Sequence, residues 1–287
     1  MSTEKMTRES GMYINKQIKA GDFILIKKFS LREFGSPGHK RKKRQRSTPI
    51  AMDNYNRQRK AEKLQMLILN NFDKGFHVIL DYPKDSRPET YEEAEKILMK
   101  SLYKISRRLK KDGKEFKYIA ITERGHRAAA LHHHLIVEGD SLIIDELRRA
   151  WGQHMHISPM YEEGAYKQLA EYFCKIETKE EQTKGKSKYH RSRNLKEPEC
   201  KVAFCAGSIN KEPLIPKGYD LIIGSYVDGF NEIVGVRYQK YMLRKSQVGI
   251  KSESVGISRN PISDQKGNKI SGIFKKFKGF IKGVIKK

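Results

Sequence analysis

LHHHLIV, residues 131–137, decides how this chain is read. Three consecutive histidines stand in an otherwise apolar run, and a short run of that kind reads as a strand. Side chains alternate across a strand, so His132 and His134 share one face while His133 points to the other. Leu135 and Val137 lie on the face opposite His134 and Ile136. The stretch before it, KYIAIT (117–122), is a second strand that runs directly into Glu123, ahead of a turn at Arg124 and Gly125. The two strands form a hairpin, which brings Glu123 beside His132 and His134. One carboxylate and two imidazoles make a three-sided cage with open positions, a donor set suited to Mn²⁺ or Mg²⁺ with a substrate oxygen completing the shell. From the pattern alone the plainer reading stays open: surface histidines and a charge at a hairpin end.

Working outward, FHVILDY (76–82) is a strand closed by Pro83. Pro88 and Thr90 introduce a helix in which Ala94, Ile97, Leu98, Leu102, Ile105 and Leu109 recur at 3–4 spacing. Beyond the hairpin, residues 142–151 form a short helix and residues 164–177 a longer one. The order β-α-β-β-α-α predicts an α+β fold, an antiparallel sheet covered by helices. Upstream, DFILIKKF (22–29) is a short strand. A loop then carries Lys40, Arg41, Lys42, Lys43, Arg44 and Arg46. A helix begins near Thr48-Pro49, with Thr as cap and Pro at the first position, and runs to Asn71. Ala61, Leu64, Leu67 and Ile68 supply its apolar stripe, and Arg57, Arg59, Lys60 and Lys63 the opposite face. After Pro198 the chain becomes strand-like and Gly-rich. The expected division is 1–70 (strand, basic loop and helix), 71–200 (the central domain), 201–271 (a strand-rich extension) and 272–287 (a basic tail).

The chain has 287 residues, 37% of them hydrophobic, and a formal charge of +25. Such a charge repels itself in a compact state unless a polyanion is near. Nucleic acid is the expected partner, because Lys and Arg that contact phosphates release counterions. Cys174, Cys200 and Cys205 have neither the number nor the spacing of a disulfide framework or zinc site. The polar N-terminus, and apolar runs shorter than the roughly 20 residues of a membrane span, lead to the expectation of a cytoplasmic protein. The tail GIFKKFKGFIKGVIKK (272–287) has six Lys and no acid, with apolar residues at helical spacing. Such a segment suits an anionic membrane surface, DNA or a partner groove.

Two further features bear on chemistry. His154 and His156 repeat the His-x-His form, but no strand ending in an acid precedes them, so they read as a polar strand or loop. In EYFCK (171–175), Tyr172 and Lys175 stand three residues apart and share a helical face. A neighbouring ammonium favours phenolate and counters charge on a phosphate. Tyr166, six residues upstream, falls about 240° round a helix of ~3.6 residues per turn and so off that face.

Taken together, FHVILDY, the long helix, ITERG, LHHHLIV, EYFCK and SRNLKEP (192–198) resemble rolling-circle replication initiators of the HUH endonuclease superfamily, of filamentous-phage and Gram-positive plasmid type. The likeness covers residues 56–198. It implies a ferredoxin-like or RRM-like antiparallel sheet with basic N- and C-terminal extensions. It implies that His132, His134 and Glu123 hold the metal, Mn²⁺ or Mg²⁺, that Tyr172 is the nucleophile and that Lys175 is its companion. Asp81 stands where the family often has Thr, and either adds a carboxylate near the metal or caps the strand. Arg193 and Lys196 are suited to phosphate contacts, as are the six cations of residues 40–46. The implied reaction nicks one origin strand through a 5′-phosphotyrosine and leaves a 3′-OH primer. No GxxxxGK[ST] loop is present in the sequence, so a host helicase unwinds and a host polymerase extends, in the cytoplasm of a bacterial host. The rival readings are a non-cleaving DNA-binding regulator of the same fold and an iron oxygenase with a two-histidine, one-carboxylate site.

Overall fold

The computed structural model describes residues 12–30, 50–72, 74–125, 130–152, 154–160, 165–174, 189–231 and 236–246. The cationic residues 40–46, Lys175 and the tail 272–287 lie outside the described residues. The fold is α+β, with two antiparallel sheets and four helices among the described residues.

The central sheet is built from β3 (Gly75–Leu80), β4 (Tyr118–Arg124), β5 (Leu131–Glu138), β6 (Met155–Pro159) and β7 (His190–Arg191), in the order β6-β3-β5-β4-β7. With α2 (Tyr91–Lys111) and α3 (Ser141–Trp151) between its strands, residues 75–159 run β-α-β-β-α-β. That succession and strand order are those of a ferredoxin-like split βαβ. Thr90 caps α2 in a capping box with Glu93. Its Ala94, Leu98, Leu102, Ile105 and Leu109 pack on the sheet with Val78, Leu80, Ala120, Leu135 and Val137. Ile97, counted in that stripe from sequence, is instead 39% exposed, because the helix buries a narrower face than its spacing allows. Asp140 caps α3, which ends at Gly152. At Gly139 any side chain would collide with the Lys74 carbonyl, 2.3 Å from where a Cβ would stand. This close approach locks the end of β5 to the start of β3.

The second sheet joins the two ends of the described chain. Strands β1 (Met12–Ala20), β2 (Phe23–Ser30), β8 (Glu199–Ala206), β10 (Val227–Asn231) and β11 (Val236–Lys245) follow the order β10-β11-β2-β1-β8, and β9 (Tyr219–Leu221) pairs with β11. The strands that sequence reading divides between residues 1–70 and 201–271 are thus hydrogen-bonded neighbours. Helix α1 (Ile50–Asn71) contributes Leu64, Leu67 and Ile68 to a core shared with Phe23, Leu25 and Met242 of this sheet and with Ile119, Ile121 and Ile136 of the central one. Contact with both sheets explains why Met66 and Leu69, outside the expected stripe, are also buried. Glu62 lies between Lys27 and Lys240, bonded to both. Burial pushes its carboxyl up, but the two ammoniums outweigh that and hold it below its ordinary value.

Helix α4 spans Lys167–Phe173, a single short element rather than a helix starting at residue 164. Ala165 and Tyr166 have φ of 50° and 56°, a left-handed backbone that cannot continue into a preceding helical turn. Tyr166 therefore precedes the helix, buried in the core, and its angular relation to Tyr172 cannot be taken from an ideal helix.

Candidate active site

The face of the central sheet opposite α2 and α3 carries the polar constellation. The hairpin of β4 and β5 places Glu123 directly across from His132 and Thr122 across from His133. Alternation then separates the three histidines. His133 is fully buried on the α2/α3 side, paired with the Tyr82 hydroxyl at 2.5 Å and with Thr122 Oγ1 at 2.9 Å. Trp151 stands edge-on to its ring. Burial first, and then the neighbouring histidines, hold its imidazole down to about 3, so it is neutral at physiological pH.

On the other face the ligand atoms of Glu123, His132 and His134 all lie within 4.8 Å of one another, a group that could hold a metal ion. The Nε2 atoms of His132 and His134 are 3.0 Å apart, and His134 Nε2 is 3.4 Å from Glu123 Oε2. The orientation of both rings fits a cation. His132 directs Nδ1 at the Ala130 carbonyl, 3.4 Å away, and His134 directs Nδ1 at His77, so both Nε2 lone pairs can face the same point. Burial pushes the Glu123 carboxyl up, but bonds from His134 and Tyr172 and the nearby imidazoles outweigh it and hold it down to about 2. An ionised carboxylate beside two imidazole Nε2 atoms is a donor set that suits a divalent ion.

Tyr172 completes the arrangement. Helix α4 carries its ring edge-on to His134, and its hydroxyl donates to Glu123 Oε2 and lies 3.0 Å from His134 Nε2. Ala170 and Phe173, buried in the shared core, fix the rotation of this short helix and hence the aim of Tyr172.

The remaining candidates fall elsewhere. Arg193 and Lys196 are exposed, in the segment between β7 and β8. Ser192 bonds Tyr118, at the far end of β4 from Glu123, about 17 Å away at the rise of a strand. Asp81 lies just beyond the end of β3, where its charge reaches His132, and its carboxylate is 3.8 Å from His156 Nε2. Of the second His-x-His pair, His154 lies just before an added strand, β6, and His156 lies on it, opposite Ile79, as His134 does from the other side. His156 therefore shares the sheet face of the metal group without belonging to it. His77 went unnoticed in the sequence. Its signal was there: in FHVILDY the residues 77, 79 and 81 alternate with the apolar 76, 78 and 80, placing a histidine on the face where His134 points.

The fold and site define an α+β protein of ferredoxin-like topology in which the sheet face opposite α2 and α3 presents a histidine–carboxylate group to a tyrosine. Residues 76–190 match the family of replication-associated proteins designated ORF2. The match runs from β3 to β7 and so includes Glu123, His132, His134 and Tyr172; it supports a role in replication initiation and implies binding of origin DNA. No curated protein and no solved structure gives a match.

Proposed function

We propose that this protein is a rolling-circle replication initiator that nicks and rejoins one DNA strand at an origin, with Tyr172 as nucleophile. The observation that carries this reading is the Tyr172 hydroxyl, which donates to Glu123 and lies 3.0 Å from His134 Nε2. A nucleophile held against the metal group is poised for a phosphate bound there. Glu123, His132 and His134 would hold Mn²⁺ or Mg²⁺, which when bound supplies polarisation of the scissile phosphate. The Tyr172 oxygen attacks phosphorus, and the bond to the 3′ oxygen breaks. The phenolic proton passes to the Glu123 carboxylate that its hydroxyl already touches, and the departing 3′ oxygen takes one up. The product is a 5′-phosphotyrosine with a free 3′-OH. Reversal reseals the strand and needs no nucleotide triphosphate.

In this scheme Lys175 offsets charge on the phosphate, and the cations of residues 40–46 with Arg193 and Lys196 hold the DNA backbone. The host helicase and polymerase act on the opened origin in the bacterial cytoplasm. The test is incubation of the full chain with a labelled single-stranded origin oligonucleotide and Mn²⁺, followed by a denaturing gel. Wild type should give a protein–DNA adduct, and Tyr172→Phe none, with binding retained within a few-fold. An adduct that persists in Tyr172→Phe would remove the assignment.

A further inference from the structure

Beyond the three ligands and the tyrosine, the same sheet face holds a histidine on a neighbouring strand whose geometry is specific. His77 Nε2 lies 3.1 Å from His134 Nδ1. The two rings are nearly parallel, at 11°, yet their centroids are 5.2 Å apart. Rings stacked face to face would be closer, so this separation with a 3.1 Å nitrogen contact means the rings meet edge to edge in one plane. That is the in-line geometry of an N–H···N hydrogen bond. Register explains how it arises: Ile79 is opposite His134 and His77 opposite Ile136, so His77 is the diagonal neighbour of His134 on the same face. The Phe173 ring, next to Tyr172 on α4, packs edge-on at 6.1 Å and closes the side of His77.

We propose that His77 is a positioning residue for the metal group, accepting the Nδ1 proton of His134 and so keeping His134 Nε2 unprotonated and aimed at the ion. This rests on the reading of Glu123, His132 and His134 as metal ligands. The logic is one of tautomers. A neutral imidazole carries one proton, and a ring that ligates through Nε2 must carry it on Nδ1 and needs an acceptor there. His132 finds its acceptor in the Ala130 carbonyl. Among the described residues, the group that His134 Nδ1 faces is His77. Nor is His77 a fourth ligand, since its Nε2 is occupied by His134 and it stands outside the group. The hydrogen bond also fixes the His134 ring plane, against which the Tyr172 ring rests.

The test measures Mn²⁺ affinity of the full chain by calorimetry, without DNA, for wild type, His77→Phe and His77→Gln. Loss of an outer partner of a metal-bound histidine typically weakens binding roughly 10–100-fold, and His77→Phe should show a loss of about that size. His77→Gln puts an amide oxygen where Nε2 stood and should bind within a few-fold of wild type, which a merely space-filling role would not produce. With Mg²⁺ bound, ¹⁵N spectra of wild type should show His134 protonated on Nδ1 and coupled across the hydrogen bond to His77 Nε2. Wild-type affinity in His77→Phe, equal weakness in His77→Gln, or a His134 lacking the Nδ1 proton would each overturn the assignment. Wild type that takes up no Mn²⁺, and behaves like His132→Ala and His134→Ala, would remove the metal reading and this role with it.

Discussion

His133 stands between two residues of the metal group and does something different, because one step along a strand reverses the face. Its two ring nitrogens are both engaged inside the protein, by Tyr82 and Thr122. His133→Ala should strand those two hydroxyls in the interior and open a cavity, costing about 2–4 kcal/mol in stability. The folded fraction should still bind Mn²⁺ as wild type does. His132→Ala should show the reverse, with little change in urea midpoint and loss of Mn²⁺ binding. Urea titration beside calorimetry on the two variants checks both. A large loss of metal affinity in folded His133→Ala would contradict this division. The division was legible in LHHHLIV alone, since a period of two is a local property. His77 was not, because its part depends on the offset between β3 and β5, which arises only when the sheet forms.

At the scale of elements, α1 is held between two sheets, and Glu62 is its polar anchor on the outer one. One carboxylate shared by Lys27 and Lys240 leaves an excess of positive charge if it is removed. Glu62→Gln should therefore destabilise the chain by about 2 kcal/mol, less than for a fully buried pair because all three side chains keep some water. The folded carboxyl lies below its ordinary value, 4.5, so its contribution is fully present above that pH and is lost as pH falls through and below it. Acid unfolding followed by circular dichroism should show wild type and Glu62→Gln converging as pH falls below 4.5. Parallel loss at every pH would deny the carboxylate this role. The helices α1, α2 and α3 were readable because 3–4 spacing is written locally, as is the Thr90 cap of α2; the cap expected at Thr48 lies outside the described residues. The start of α4 was not, since nothing in its composition announces left-handed backbone at Ala165 and Tyr166. Strand β1 was also missed: in MYINKQIKA, Lys16 interrupts the apolar alternation of Ile14 and Ile18. In the sheet it stands opposite Lys27, one strand over.

For the molecule as a whole, the arrangement of the second sheet decides what can be cut away. Asn15 pairs with Ala203 and Leu25 with Met242, partners roughly 200 residues apart. Residues 76–190 contain every residue given a chemical role near the metal group, yet α1, which roofs that face with α4, needs the second sheet on its other side. A chain ending at Pro198 should therefore be poorly soluble and bind a hydrophobic dye. A chain ending at Ser246 should be soluble, resist protease and take up Mn²⁺. Equal solubility of the two would show that the central sheet stands without the second. The same pairing sets a clock on synthesis. A ribosome delivers β1 and β2 early, and they wait while roughly 200 further residues are read before β11 emerges beside β2. During that interval the hairpin has two open edges and α1 has one uncovered side, the exposure that holding chaperones recognise. The tyrosine and its histidines are made midway, so the site is held in final form only after β11 has joined β2.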